Sequence, residues 1–153
     1  MLYKVDFSQE LWRLIYAQLY QRLLNFALEC GDTENLVKSR FVSLVANDPS
    51  VNLLVEVDEN GNVTSHCLFL LQQIQPEVYV VFCEQILVDL KHNETFVKDC
   101  LSYVENIPQV ARISMFTDEK KYKAFKKKYE FTIDKVLMKR VIKNKDSTLD
   151  IEE

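Results

Sequence analysis

At Val51 the hydrophobic period of the chain changes, and that change constrains the fold more than any other feature. Before it, apolar residues recur every three or four positions; after it they alternate. The run 9–30 (QELWRLIYAQLYQRLLNFALEC) carries Leu11, Ile15, Leu19, Leu23 and Phe26 or Ala27 on one face and Gln18, Arg22, Asn25 and Glu29 opposite. With Ser8 as N-cap and Gly31 at the end, this predicts one long amphipathic helix. Asp32 or Thr33 caps a second helix with Val37, Phe41, Leu44 and Val45 on its inner face, stopped by the Asn-Asp-Pro at 47–49.

From Val51 onward, Leu53, Val55 and Val57 alternate with Asn52, Leu54, Glu56 and Asp58. The segment DENGN then supplies an Asn60-Gly61 turn, and VTSHCLFLLQQI returns as the second arm of an antiparallel hairpin. After Gln75-Pro76-Glu77, the run VYVVFCEQILVD is apolar on both faces, as a central strand must be. Asn93 caps a helix with Phe96, Val97, Cys100, Leu101 and Val104 as its stripe, ending before Pro108. ARISMF is a strand, DEKKYKAFKKKY a lysine-rich helix with Tyr122, Phe125 and Tyr129 inward, and FTIDKVLMKRVI a closing strand. The order predicts one α/β (α+β) domain over 1–142, a mixed and mainly antiparallel sheet with helices on both faces, followed by a polar, mobile tail at 143–153.

Composition narrows the chemistry. The only glycines among the 153 residues are Gly31 and Gly61, which excludes Gly-rich phosphate loops and dinucleotide-binding turns. Cys30, Cys67, Cys83 and Cys100 form no CxxC pair, and with only His66 and His92 beside them they offer no metal-ligand spacing. Cys67 and Cys83 lie in apolar runs and are expected to be buried, reduced thiols. The apolar stretches are too short for a membrane helix, and the start MLYKVDFSQE is no signal peptide, so an intracellular, cytoplasmic protein is expected.

Charge is polarised along the chain. Residues 1–110 carry 7 basic and 15 acidic side chains, residues 111–145 carry 12 and 4, and residues 146–153 carry 0 and 4. Lys120, Lys121, Lys123, Lys126, Lys127 and Lys128 concentrate the positive charge on one helix. Their aromatic neighbours fall on the core side, and the pI near 5.3 argues against nucleic acid as the main partner. An acidic protein surface, or the acidic body of another copy, suits this helix better.

The element order, with FKKKYEF at 125–131 leading into VLMKRVI, resembles the GNAT (N-acetyltransferase) superfamily over about residues 1–142. The resemblance implies an acetyl-CoA site where the strand ending QILVD meets an Arg/Gln-x-x-Gly-x-Gly/Ala loop at a helix N-terminus. This chain reads LKHNETF there: both glycines are missing, and Glu94 sets a negative charge against a diphosphate. If the site works, Leu87, Val88, Lys91, His92, Asn93, Glu94 and Thr95 hold the cofactor. The resemblance also puts Lys126 where the family often has a tyrosine that protonates the CoA thiolate, and Glu130 in place of a glycine. Glu84 takes the position of a general base, on a face shared with Val80, Phe82, Ile86 and Val88.

Three functions follow in order. The first is a catalytically inactive, degenerate GNAT-like domain without cofactor, a structural or protein-interaction module within a larger assembly, for example a virus particle. The second is an acetyl-CoA-dependent N-acetyltransferase with an atypical loop. The third is a nucleic-acid-binding module using the lysine helix, whose affinity would collapse with salt.

Overall fold

The computed structural model describes residues 1–89, 95–116 and 126–131. Met1–Phe116 form one compact unit, which holds the sheet, and Thr117–Glu153 form a second. Residues 118–125 of the helix expected over 118–129, the closing strand beyond Phe131 and the boundary at 142 lie outside the described residues. Within the second unit, Lys126–Tyr129 make a helical turn.

The sheet has five strands in sequential order: β1 (Leu2–Lys4), β2 (Val51–Val57), β3 (Val63–Gln75), β4 (Val78–Leu87) and β5 (Val110–Met115). All neighbours are antiparallel except β4 and β5, which run parallel through the crossover helix α4 (Phe96–Glu105). The mixed sheet and the central place of β4 match the sequence reading. The β2–β3 turn closes at Asp58–Asn62 with Gly61 at φ 80°, a left-handed position that glycine adopts without penalty. Glu77 takes a similar φ of 64° in the β3–β4 turn without being glycine.

The expected single helix over 9–30 is two. α1 (Glu10–Leu14) and α2 (Tyr16–Glu29) part at Ile15, whose φ of −105° and ψ of 15° break the helical path. The break resets the phase, so that Trp12 is buried while Leu11 is 63% exposed. In α2 the stripe is as expected at Leu19, Leu23 and Ala27. Ser8 is not the cap: its N–H and hydroxyl both bond Asp6 Oδ1, at 3.0 and 2.7 Å, and Gln9 takes the cap position. Thr33, in contrast, caps α3 (Glu34–Val45) by accepting from the Leu36 N–H. Val37, Phe41 and Leu44 point inward from α3, but Val45 is out in solvent.

Two cores result, one on each face. Leu53, Val55 and Leu68 pack against Trp12, Leu19, Leu23, Val37 and Phe41 of α1–α3. Leu54, Cys67, Phe69, Val81 and Cys83 pack against Phe96, Cys100 and Val104 of α4. β2 is therefore covered on both faces, and Asn52 and Leu54, the alternate residues, are buried with the rest.

Candidate functional site

The pairing of β3 with β4 slips by one residue: Leu68 faces Gln85, yet Phe69 faces Cys83, so Glu84 is the extra residue of a β-bulge. The slip turns Glu84 and Gln85, which are adjacent in sequence, towards the same helical layer. Strict alternation had put Glu84 with Ile86 and Val88; both of those pack in the α4 core instead.

Arg40 of α3 reaches across to Glu84 with both arms of its fork. Arg40 Nε donates to Glu84 Oε2 at 2.7 Å and Nη2 to Oε1 at 2.9 Å. The side chains are 23% and 12% exposed, so the pair is partly shielded from water. The bond to Glu84 raises the Arg40 pKa above its ordinary value, against the opposing effect of burial; Asp32 adds to the rise.

Gln85 belongs to a buried network. Arg22 Nε donates to His66 Nδ1 at 2.8 Å, which fixes the His66 proton on Nε2, and Nε2 then donates to Gln85 Oε1 at 2.9 Å. Gln85 Nε2 donates in turn to the Leu23 carbonyl, and Arg22 spends its remaining arms on the carbonyls of Val63 and Thr64. Burial, with the positive charge of Arg22 added, lowers the His66 pKa from 6.5 to about 3. His66 is thus a neutral structural imidazole. Burial likewise lowers the pKa of Arg22. The polar face assigned to α2 is therefore only partly a water face, because Arg22 and Gln18 turn into the β2–β3 hairpin.

The ladder between β4 and β5 ends at Cys83 opposite Met115, while β4 continues to Leu87. Along Glu84–Leu87 the β5 side of β4 has no strand partner among the described residues. Of the residues expected to hold a cofactor, Leu87 ends β4, Val88 packs against the α4 core and Thr95 is the N-cap of α4, without a side-chain cap bond. Lys91, His92, Asn93 and Glu94 lie outside the described residues, as do Lys120, Lys121 and Lys123. Lys126, Lys127 and Lys128 are exposed in the second unit. Glu130, at the expected glycine position, has φ 60°, the backbone conformation that favours glycine.

Behind β4, Cys67 Sγ lies 3.8 Å from Cys83 Sγ, and Cys100 bonds Cys67. These thiols are free and buried; Cys30 is free and exposed. Thiol–thiol bonding and burial push the pKa of Cys67 and Cys83 well up. Among the described residues no group of side chains has the makings of a metal site, and no helix is long and apolar enough to cross a membrane.

No protein-family model matches the sequence, and no curated protein matches it. Solved structures do. A ribosomal-protein-alanine N-acetyltransferase from Brucella melitensis biovar Abortus 2308 is 11% identical with a TM-score of 0.62, over 93% of this chain and 99% of that one. A glucosamine-6-phosphate N-acetyltransferase from Arabidopsis thaliana is 10% identical with a TM-score of 0.59, over 92% and 98%. A possible acetyltransferase from Clostridium difficile 630 is 11% identical with a TM-score of 0.63, over 93% and 97%. At such identities the likeness is one of fold.

Proposed function

The chain has the GNAT-superfamily fold, and we propose that it serves as a catalytically inactive interaction module built on that fold. One observation carries this reading: Arg40 holds Glu84, the candidate base, with two charge-assisted hydrogen bonds. A base must turn to the substrate amine, and turning Glu84 away from Arg40 would leave a partly shielded carboxylate without its counter-ion. The sequence supports the same reading, since no glycine follows Gly61 and the diphosphate-cradling turn has none to use. The partner surface proposed is the basic C-terminal third, with Lys127 and Lys128 at its described part, facing an acidic protein or a second copy.

A second reading is favoured by the open β4 edge. Along Glu84–Leu87, where the β5 side of β4 has no strand partner among the described residues, β4 offers main-chain groups to an extended ligand, as acetyl-CoA would be. Calorimetric titration with acetyl-CoA and with CoA separates the two. No heat and no thermal shift are expected. Micromolar binding overturns inactivity, and loss of acetyl transfer in Glu84→Gln would then establish the base.

A further inference from the structure

β3 is longer than the strand beside it. β2 begins at Val51 opposite Leu70, and the Leu71 N–H still reaches the Ser50 carbonyl at 2.8 Å. From Gln72 to Gln75 the strand runs on with β4 alone, Gln72 opposite Val80 and Gln73 opposite Tyr79. On the β2 side these residues have no strand partner among the described residues, and all of them are exposed, Ile74 to 49%. Such an edge presents N–H and C=O groups in the spacing that another strand pairs with. Charge, proline and bulges are the devices that blunt an edge of this kind. Gln72-Gln73-Ile74-Gln75 has neither charge nor proline, and Pro76 stands only at its end. A bulge at Ile74, the extra residue between Gln73 and Gln75 in the β4 register, twists the edge and keeps any pairing short.

Charge decides what fits there. Residues 1–110 carry 7 basic against 15 acidic side chains, so two copies repel over most of their surface. Gln72–Gln75 is an uncharged window in that field. A charged peptide finds no counter-charge in it, whereas an identical strand meets neither repulsion nor an unmatched charge. Laid antiparallel about a two-fold axis, Gln72 falls opposite Gln75 of the second copy and Gln73 opposite its Ile74. In that register the two Glu77 side chains lie beyond the paired stretch, at opposite ends of it.

We infer that the exposed edge of β3 at Gln72–Gln75 is a self-pairing surface, on which the same stretch of a second copy adds antiparallel and joins two sheets into one. Four residues a side, against roughly 20–30 in a stable interface, make this a weak dimer. The contact is separate from the lysine-bearing surface proposed above, and salt tells the two apart. Screening relieves the repulsion between acidic bodies and strengthens β3 pairing, whereas it weakens a lysine–carboxylate contact.

Sedimentation of the full chain is followed from about 10 μM to about 1 mM at low and at high salt, with amide resonances recorded over the same series. The mass is expected to rise towards a dimer at the upper end, further in high salt, with the amide shifts concentrated at Gln72–Gln75. Ile74→Lys sets like charges near the two-fold axis and is expected to weaken association at least about tenfold, while Lys127→Glu leaves it unchanged. A chain that stays monomeric to about 1 mM in high salt, or that associates without moving the Gln72–Gln75 amides, overturns the proposal. Association that is lost on adding salt and in Lys127→Glu also overturns it, and supports the lysine surface instead. The wild-type series decides alone if Ile74→Lys fails to fold.

Discussion

On the α1–α3 side of the sheet, Arg22, His66, Gln85, Arg40 and Glu84 tie helices to strands by directed bonds that run through the packed layer. On the α4 side, Phe96, Phe69, Cys67, Cys83 and Cys100 meet as apolar surface and thiols. The first arrangement fixes position: each donor has one acceptor, and a shift of a helix breaks a named bond. The second fixes only volume, because apolar contact is non-directional. The candidate base lies on the directed side, where its freedom is least.

The sharpest test of this contrast is chemical. A thiol reagent should modify Cys30 alone of the four cysteines in the native protein, since the α4 core hides the others and holds Cys67 and Cys83 protonated. Reaction of a second thiol before unfolding would show that the α4 side opens. Next in size, Phe96→Ala should cost about 3–5 kcal/mol in a denaturant titration, by emptying the centre of the apolar layer. A much smaller loss would mean that α4 collapses onto the gap.

Acid tests the directed side. Unfolded, His66 takes up a proton near pH 6.5; folded, it resists until about pH 3, so the unfolded chain binds more protons in between. Stability from this group is complete above pH 6.5 and falls as pH drops towards 3, by about 2 kcal/mol between pH 6.5 and 5. His66→Gln should flatten that window in thermal melts. Smallest is Arg40→Gln, expected to cost about 1 kcal/mol once solvent screening of the pair is allowed for, with the loss shrinking in salt. An unchanged melting curve would show that Glu84 finds another partner.

The two sides were also unequally legible in the sequence. Phe96, Cys100 and Val104 follow a helical period, and Cys67 and Cys83 sit in apolar runs, so the α4 layer could be read from local pattern. The Asn60-Gly61 hairpin declared itself by turn chemistry. The directed side could not be read this way. The bulge at Glu84 exists only against the register of β3, and a strand taken alone gives strict alternation and the wrong neighbours. Arg22 looked like a solvent residue of α2 because its acceptors, His66, Val63 and Thr64, are distant in sequence. The break at Ile15 likewise follows from packing, since no glycine or proline marks it. Glu84 is singled out by the sequence, but its partner Arg40 is not, because the two are 44 residues apart and meet only in the folded chain.

The pairing of β1 carries a consequence for how the chain is made. Leu2 lies opposite Glu56, so the first strand is synthesised well before its neighbour, and all of α1–α3 is translated in the interval. At about 5–20 residues per second the wait lasts seconds, far longer than a helix needs to form. Leu19, Leu23 and Phe41 must spend it without the sheet that later covers them. The nascent helices therefore display an uncovered apolar flank on the ribosome, a period in which a chaperone has something to hold.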